Sequence, residues 1–440
     1  MSVMRGFAAA TAVVSLVGLA SGAQAATEIQ WWHAMGGALG ERVAGIAKGF
    51  NESQSDYKVV PTYKGNYTEN MTAGIAAFRS GKQPHILQVF EVGTATMMSA
   101  KGAIKPVHEL MAEAGEPFDP ASYLSTVAGY YTTPDGQMLS MPFNSSTPIL
   151  YYNREAFEKA GLDPNSPPKT WPELAEAAKK IQAAGAAECG YTTAWQSWVH
   201  LENFSAWHNV PIGTKANGFG GVDTELKVNS DAHVAHISAL ADWQKDKIFV
   251  YGGRRGDSQA LFTSGECAMY TNSSAGYAGI KKTAKFAFGT GMLPYWPAVA
   301  DKPQNTIIGG ATLWVFSGHS DEEYKGVAKF FSYLSSAEVQ AEWHQGTGYL
   351  PITLAAYDLT KKQGFYAANP GTETALLQMT LNPPTENSRG LRFGNFVQIR
   401  DIINEELEAV WGGSKTAKEG LDDMVERGNA LLRKFEKANK

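Results

Sequence analysis

The sequence predicts an α/β protein of two sheet-centred domains, and three observations predict it. Short apolar stretches alternate with segments of helical periodicity between residues 28 and 93, and a strand-then-helix pattern starts afresh near residue 149. The chain has 440 residues, a length that suits two cores better than one.

The first 25 residues, "MSVMRGFAAATAVVSLVGLASGAQA", carry Arg5, an apolar run from Phe7 to Ala20, and a small-x-small site at Ala23 to Ala25. This is the pattern of a cleaved signal peptide; the run is too short for a membrane anchor and no cationic flank follows it. "EIQWWHAM" then predicts a strand. Val43, Ile46, Ala47 and Phe50 fall at helical spacing, and "YKVVPTY" predicts a second strand. "TAGIAAFRSGK" repeats the helix, and "PHILQVFEVG" a third strand, ending at Glu91 and Gly93. Such alternation predicts parallel sheets whose ligands lie beyond the carboxyl ends of the strands, where Glu91 falls.

A strand over Ile149 to Tyr152 and a short helix follow. Thr170 and Glu173 then form a capping-box pattern, with Pro172 in the permissive first turn of a further helix. "GECAMYTNSS" and "FAFGTGMLPYW" predict strands. The Pro-rich stretch "PAVADKPQN" looks like a passage between domains, and "TIIGGATLWVF" is a strand again. The C-terminal third is helical, with Leu421, Met424, Val425, Leu432 and Phe435 on one stripe.

The formal net charge of −5, with both signs interspersed, argues against nucleic acid as a partner. His108 and Glu109 lack the second histidine a zinc pair needs one turn on, and no G-x-S-x-G elbow or P-loop occurs. Glu405 and Glu406 are adjacent on a helix and point apart, which does not suit paired carboxylate catalysis. We therefore expect no catalytic residue, no metal site and no cofactor. Cys189 and Cys267 are the only cysteines; pairing in an oxidising compartment and two separate buried thiols both remain open.

Anion recognition is better represented. "FNSSTP" and "YTNSSAG" place serine hydroxyls where strands end, the second before a helix over Gly276 to Lys282. Gly309 and Gly310 permit close backbone approach to a ligand. Arg400 lies on an apolar helix, where a salt bridge and a hold on an anion are the two readings. Trp195, Trp198 and Trp207 crowd one short stretch, as a packed core or as a stacking platform.

"PFNSSTPILYYNREAFEKAGLDP", "PPKTWPEL" and "GECAM" resemble the maltose-binding-like periplasmic solute-binding proteins of ABC importers. "WHAM", "PTYKGNYTENMTAGIAAFR", "QVFEVGTATMM", "WVHLENFSAW", "IIGGATLWV", "WHQGTGYLPIT" and "GLRFGNFVQIR" are similar to the branch of that family that captures sn-glycerol 3-phosphate. The resemblance spans nearly the whole chain after the signal peptide. It implies the two-lobed type II fold, each lobe a mostly parallel sheet flanked by helices. Residues 26–142 and 302–345 would form the N-terminal lobe and residues 143–301 and 346–440 the C-terminal lobe. The hinge passages are then expected near Pro142, Pro297 and Gly348.

The implied ligand contacts are Tyr67, Glu91, Ser146, Trp195, Trp198, Ser273, Gly310, Tyr349 and Arg400, with Ser274 as the neighbour of Ser273 in register and Trp207 as core. Tyr67, Ser146, Ser273, Tyr349, the Gly310 N–H and Arg400 would donate to phosphate, Glu91 would accept from glycerol hydroxyls, and the two indoles would face its C–H side. The implied partners are this ligand, with glycerophosphodiesters as a further class, and the permease and ATPase subunits of an importer, the chain itself being a periplasmic monomer and not an enzyme. An oligosaccharide-binding relative and a secreted hydrolase are the rival readings.

Overall fold

The computed structural model describes Met1, residues 25–133 and residues 135–440. The expected signal peptide therefore lies outside the described residues, apart from Met1 and Ala25. No described helix is long and apolar enough to cross a membrane.

Among the described residues, eleven strands form two sheets: β1 Thr27–His33, β2 Tyr57–Tyr63, β3 Ile86–Phe90, β4 Ile104–Lys105, β5 Met141–Ser146, β6 Pro148–Asn153, β7 Cys189–Thr193, β8 Phe249–Val250, β9 Cys267–Ser273, β10 Phe288–Gly291 and β11 Gly309–Phe316. The first sheet has the order β2-β1-β3-β11-β4, with β5 also on β11; the second has the order β10-β6-β9-β7-β8.

The βαβ units behave as predicted. Val43, Ala47 and Phe50 of the helix Gly37–Ser53 are buried, Asn66 and Glu69 close a capping box on the helix Tyr67–Arg79, and β1 pairs parallel with both β2 and β3. Thr170 and Glu173 form the expected capping box, and Leu421, Met424, Leu432 and Phe435 of the helix Ala417–Asn439 are buried.

The sheets are mixed rather than mostly parallel. β11 runs antiparallel to β3, β4 and β5, and β6 runs antiparallel to β9 and β10. These strands enter their sheets from the crossing side, so they point away from the other lobe where β3 and β9 point towards it. Hydropathy fixes that a segment is a strand but not its direction.

The passages also differ from expectation. Pro142 sits inside β5 opposite Thr312, on an edge strand whose register shifts at that point, a setting that tolerates a residue with no N–H to donate. The chain changes sheets at Thr147, so residues 143–146 belong with the first sheet. Gly348 has φ +87° and ends the helix Ala337–Thr347, but it turns the chain back: Tyr123 bridges to Thr353, and the helix Leu354–Lys362 packs on Ala337–Thr347. The second sheet is reached only at Gly371, whose carbonyl accepts from Thr290 Oγ1 at 2.9 Å.

Cys189 and Cys267 lie opposite each other on the parallel pair β7 and β9 and form a disulfide.

Candidate ligand-binding site

The carboxyl ends of β3, β5 and β9 and the amino end of β11 meet between the two sheets, around a cavity of about 230 Å³. All nine expected residues line it: Tyr67, Glu91, Ser146, Trp195, Trp198, Ser273, Gly310, Tyr349 and Arg400. Ser274 does not; its Oγ is buried without a partner, while Ser273 Oγ accepts from the Ala275 N–H at 3.1 Å and keeps its own proton to donate. Trp207 is core, its indole donating to the Leu293 carbonyl at 2.9 Å.

An amide relay orients the first sheet's side. The Ala34 N–H donates to Gln88 Oε1 at 2.8 Å, Gln88 Nε2 to Asn144 Oδ1 at 2.8 Å, and Asn144 Nδ2 to the Tyr67 oxygen at 3.0 Å. A tyrosine oxygen that accepts inside the sheet has its proton left to donate elsewhere. Tyr67 stacks on Phe90, and Tyr349 on Trp343. Burial pushes both phenols above their ordinary pKa, so both hydroxyls stay neutral and able to donate.

Gly310 has φ +102°, and a Cβ there would lie 2.0 Å from the Asn144 oxygen. At Gly309 a Cβ would lie 2.4 Å from Trp198 Cζ2, so the indole rests directly on the strand.

The second sheet's side is built on an unusual turn. Trp198–Asn203 is a π-helix, a form that recurs at functional sites, and Trp195 just before it has φ +48°. Asn203 secures it, donating to the Trp198 carbonyl at 3.1 Å and accepting from the Ile307 N–H at 2.9 Å.

Behind it runs a one-way hydrogen-bond chain. Trp296 Nε1 can only donate, here to His236 Nδ1 at 2.9 Å. His236 Nε2 must then donate to His200 Nδ1 (3.1 Å) and His200 Nε2 to the Tyr191 oxygen (3.2 Å). Tyr191 passes its proton to Thr271 (2.5 Å), Thr271 to Thr193 (2.8 Å), and Thr193 to the Ala194 carbonyl (3.0 Å). Both imidazoles are thereby fixed as neutral tautomers. Burial pushes His200 down to about 3, and His236 well below its ordinary value.

Arg400, on the helix Phe396–Trp411, resolves the two readings left open for it: it is salt-bridged. Its Nε and Nη2 fork onto Glu202 at 2.9 and 2.6 Å, and Nη2 also reaches Glu91 at 2.7 Å. Nη1 has no partner among the described residues. Burial holds the Glu91 carboxyl above its ordinary pKa against the pull of Arg400, and Glu202 adds to the rise. For Arg400 burial opposes charge, but Glu202 and then Glu91 outweigh it and raise its pKa.

Glu202 is the functional residue that sequence reasoning missed. Its one legible signal was being the sole acid in "WQSWVHLENFSAW", a stretch rich in aromatic side chains. Asn272 and Gln259, unlike Glu202, line the cavity, and they too were not anticipated.

Two sheets facing one polar, donor-rich cavity, with chain passages joining them, define a two-lobed solute receptor. Residues 45–374 match the bacterial extracellular solute-binding protein family, and the chain belongs to that family. It is 57% identical over 415 residues to the sn-glycerol-3-phosphate-binding periplasmic protein UgpB of Rhizobium meliloti (strain 1021), covering 94% of this chain and 96% of that one. It is 56% identical to the protein of the same name in Yersinia pseudotuberculosis serotype I (strain IP32953), covering 95% of each. The crystal structure of UgpB from Mycobacterium tuberculosis in complex with glycerophosphocholine superposes with a TM-score of 0.78 at 21% identity, covering 93% of this chain and 99% of that one. Maltose-bound MalE3 of T. maritima gives 0.74 at 19%, covering 92% and 100%; at these identities the likeness is one of fold.

Proposed function

We propose that this protein is the periplasmic capture subunit of an ABC importer, exported by a cleaved signal peptide, and that it binds sn-glycerol 3-phosphate between its lobes and delivers it to a membrane permease powered by ATPase subunits. The names of the relatives at 57% and 56% identity support the ligand.

One observation carries the chemistry: the only guanidinium that lines the cavity among the described residues is already shared by two carboxylates. The corner formed by Glu91, Glu202 and Arg400 is therefore suited to hydroxyls, which donate to Glu91 and accept from Arg400 Nη1. This revises the expected role of Arg400 as a phosphate hold. The phosphate belongs with the uncharged donors: the Tyr67, Ser146, Ser273 and Tyr349 hydroxyls and the Gly310 backbone. Preoriented neutral donors in a closed site stabilise an anion because little solvent screens them. The faces of Trp195 and Trp198 cover the apolar side of the glycerol chain.

The ligand leaves chemically unaltered and the protein acts as a monomer. Calorimetry tests the reading with sn-glycerol 3-phosphate, glycerophosphocholine, glycerol, inorganic phosphate and maltose. Micromolar binding of the first, about 8 kcal/mol, lies within the efficiency of so small a ligand. Preference for maltose, or turnover of the phosphate ester, overturns it.

A further inference from the structure

We propose that Glu202, which does not line the cavity, is the positioning residue that turns Arg400 from a receptor for anions into a receptor for hydroxyls, and so dictates which chemical group the ligand may carry at the end remote from its phosphate. The inference rests on the glycerol phosphate reading above.

A buried arginine facing a ligand cavity ordinarily favours carboxylate or phosphate, because its planar fork matches either in a bidentate grip. Here that fork is occupied from behind. Glu202 takes Nε and Nη2 together, is only 1% exposed, and sits in the π-helix that also carries Trp198. Glu91 reaches the same Nη2 from the other sheet, at the end of β3.

The distribution between lobes matters. The helix bearing Arg400 and the π-helix bearing Glu202 both pack against the helix Asp231–Lys245, beside the second sheet. Glu91 alone belongs to the first. Arg400 is thus already neutralised within its own lobe, and Glu91 meets it as a surplus carboxylate. Two carboxylates on one guanidinium leave this corner one negative charge in excess, with Arg400 Nη1 as its remaining donor.

A ligand carboxylate placed there meets like charge and finds no free fork. A hydroxyl finds both partners it needs, Glu91 as acceptor and Nη1 as donor. If Glu202 carried no charge, the pair Glu91–Arg400 would be neutral and a ligand carboxylate at Nη1 would no longer meet excess negative charge. The selectivity therefore comes from a residue behind the one that touches ligand, and it works chiefly by rejection.

The test uses two ligands with one carbon skeleton, sn-glycerol 3-phosphate and 3-phosphoglycerate, the second bearing a carboxylate where the first bears a terminal hydroxymethyl group. Both are titrated calorimetrically into the wild-type protein, Glu202→Gln and Glu202→Asp, with thermal unfolding recorded for each. The wild type is expected to bind the first and discriminate against the second. In Glu202→Gln the preference should narrow by about ten- to a hundredfold, the scale of one unit charge removed at roughly 6 to 12 Å in an effective dielectric of about 20. Glu202→Asp keeps the charge but shortens the fork, so it should weaken both ligands while retaining the preference.

An unchanged ratio in Glu202→Gln, with both affinities falling together, reduces Glu202 to a structural support and overturns the proposal. Loss of the preference in a folded Glu202→Asp does the same, and keeps the test decisive should the glutamine variant not fold. Failure of the wild type to bind glycerol phosphate overturns the functional reading itself, which separates the two.

Discussion

The two sheets hold their sides of the cavity by different means. The first uses amides: Gln88 and Asn144 relay from a backbone N–H to Tyr67, and nothing in that chain changes charge across the physiological pH range. The second uses imidazoles, a π-helix and a disulfide, with His208, His233 and His236 buried around Phe204 and His200 against His236. The sensitivity is unequal: reductant can reach only the second side, whereas acid reaches both, because the first lobe also buries His33 and His344, each pushed down to about 4 by burial.

Acid should break the comparison most. Burial pushes His200 and His233 down to about 3 and His208 to about 4. The folded protein keeps these groups neutral while the unfolded chain takes up protons below about pH 6.5. Stability is therefore full above that pH and is lost as pH falls from 6.5 towards 4. At pH 5 each costs about 2 kcal/mol, on the order of 6 kcal/mol for the three. Calorimetric scans should show both lobes losing stability between pH 7 and pH 5, the second-sheet lobe more, since His33 and His344 carry the same shift in the first; equal loss in the two lobes would refute the comparison.

Reduction comes next. The bridge Cys189–Cys267 closes a separation of 78 residues, for which chain entropy suggests about 4.5 kcal/mol. Scans with and without reductant should shift the second lobe and spare the first.

A backbone substitution attacks the first side. Gly310→Ala combines φ +102° with a Cβ 2.0 Å from a backbone oxygen and should cost about 3 kcal/mol in chemical denaturation. Gly81→Ala, at φ +67° with open space around it, should cost about 1 kcal/mol and serves as the comparison.

A smaller effect than that of Gly310→Ala is expected from Asn144→Leu, which removes the donor that turns the Tyr67 hydroxyl. Calorimetry should show about 1–2 kcal/mol of lost ligand affinity. An unaltered Kd would mean that the relay does not orient Tyr67.

Much of this was legible. The βαβ units and the capping box at Thr170 show in local pattern, and Glu91, Ser146 and Ser273 reach the cavity because their motifs sit where strands end. What was not legible depends on directions and partners. The antiparallel entry of β11 follows from which lobe the chain has just left, and the turn at Gly348 looks the same whether it leads onward or back. The π-helix has no distinct hydrophobic period, and the grip of Glu202 on Arg400 joins residues 198 positions apart. Arg400 alone carried two readings because its partner could not be seen from its own helix.

The absence of a side chain at Gly309 seats the Trp198 indole against the strand that enters from the other lobe. Any rocking of one sheet against the other must tilt that ring or strip its shelter, which makes its ultraviolet emission a built-in gauge of opening, readable without an attached dye.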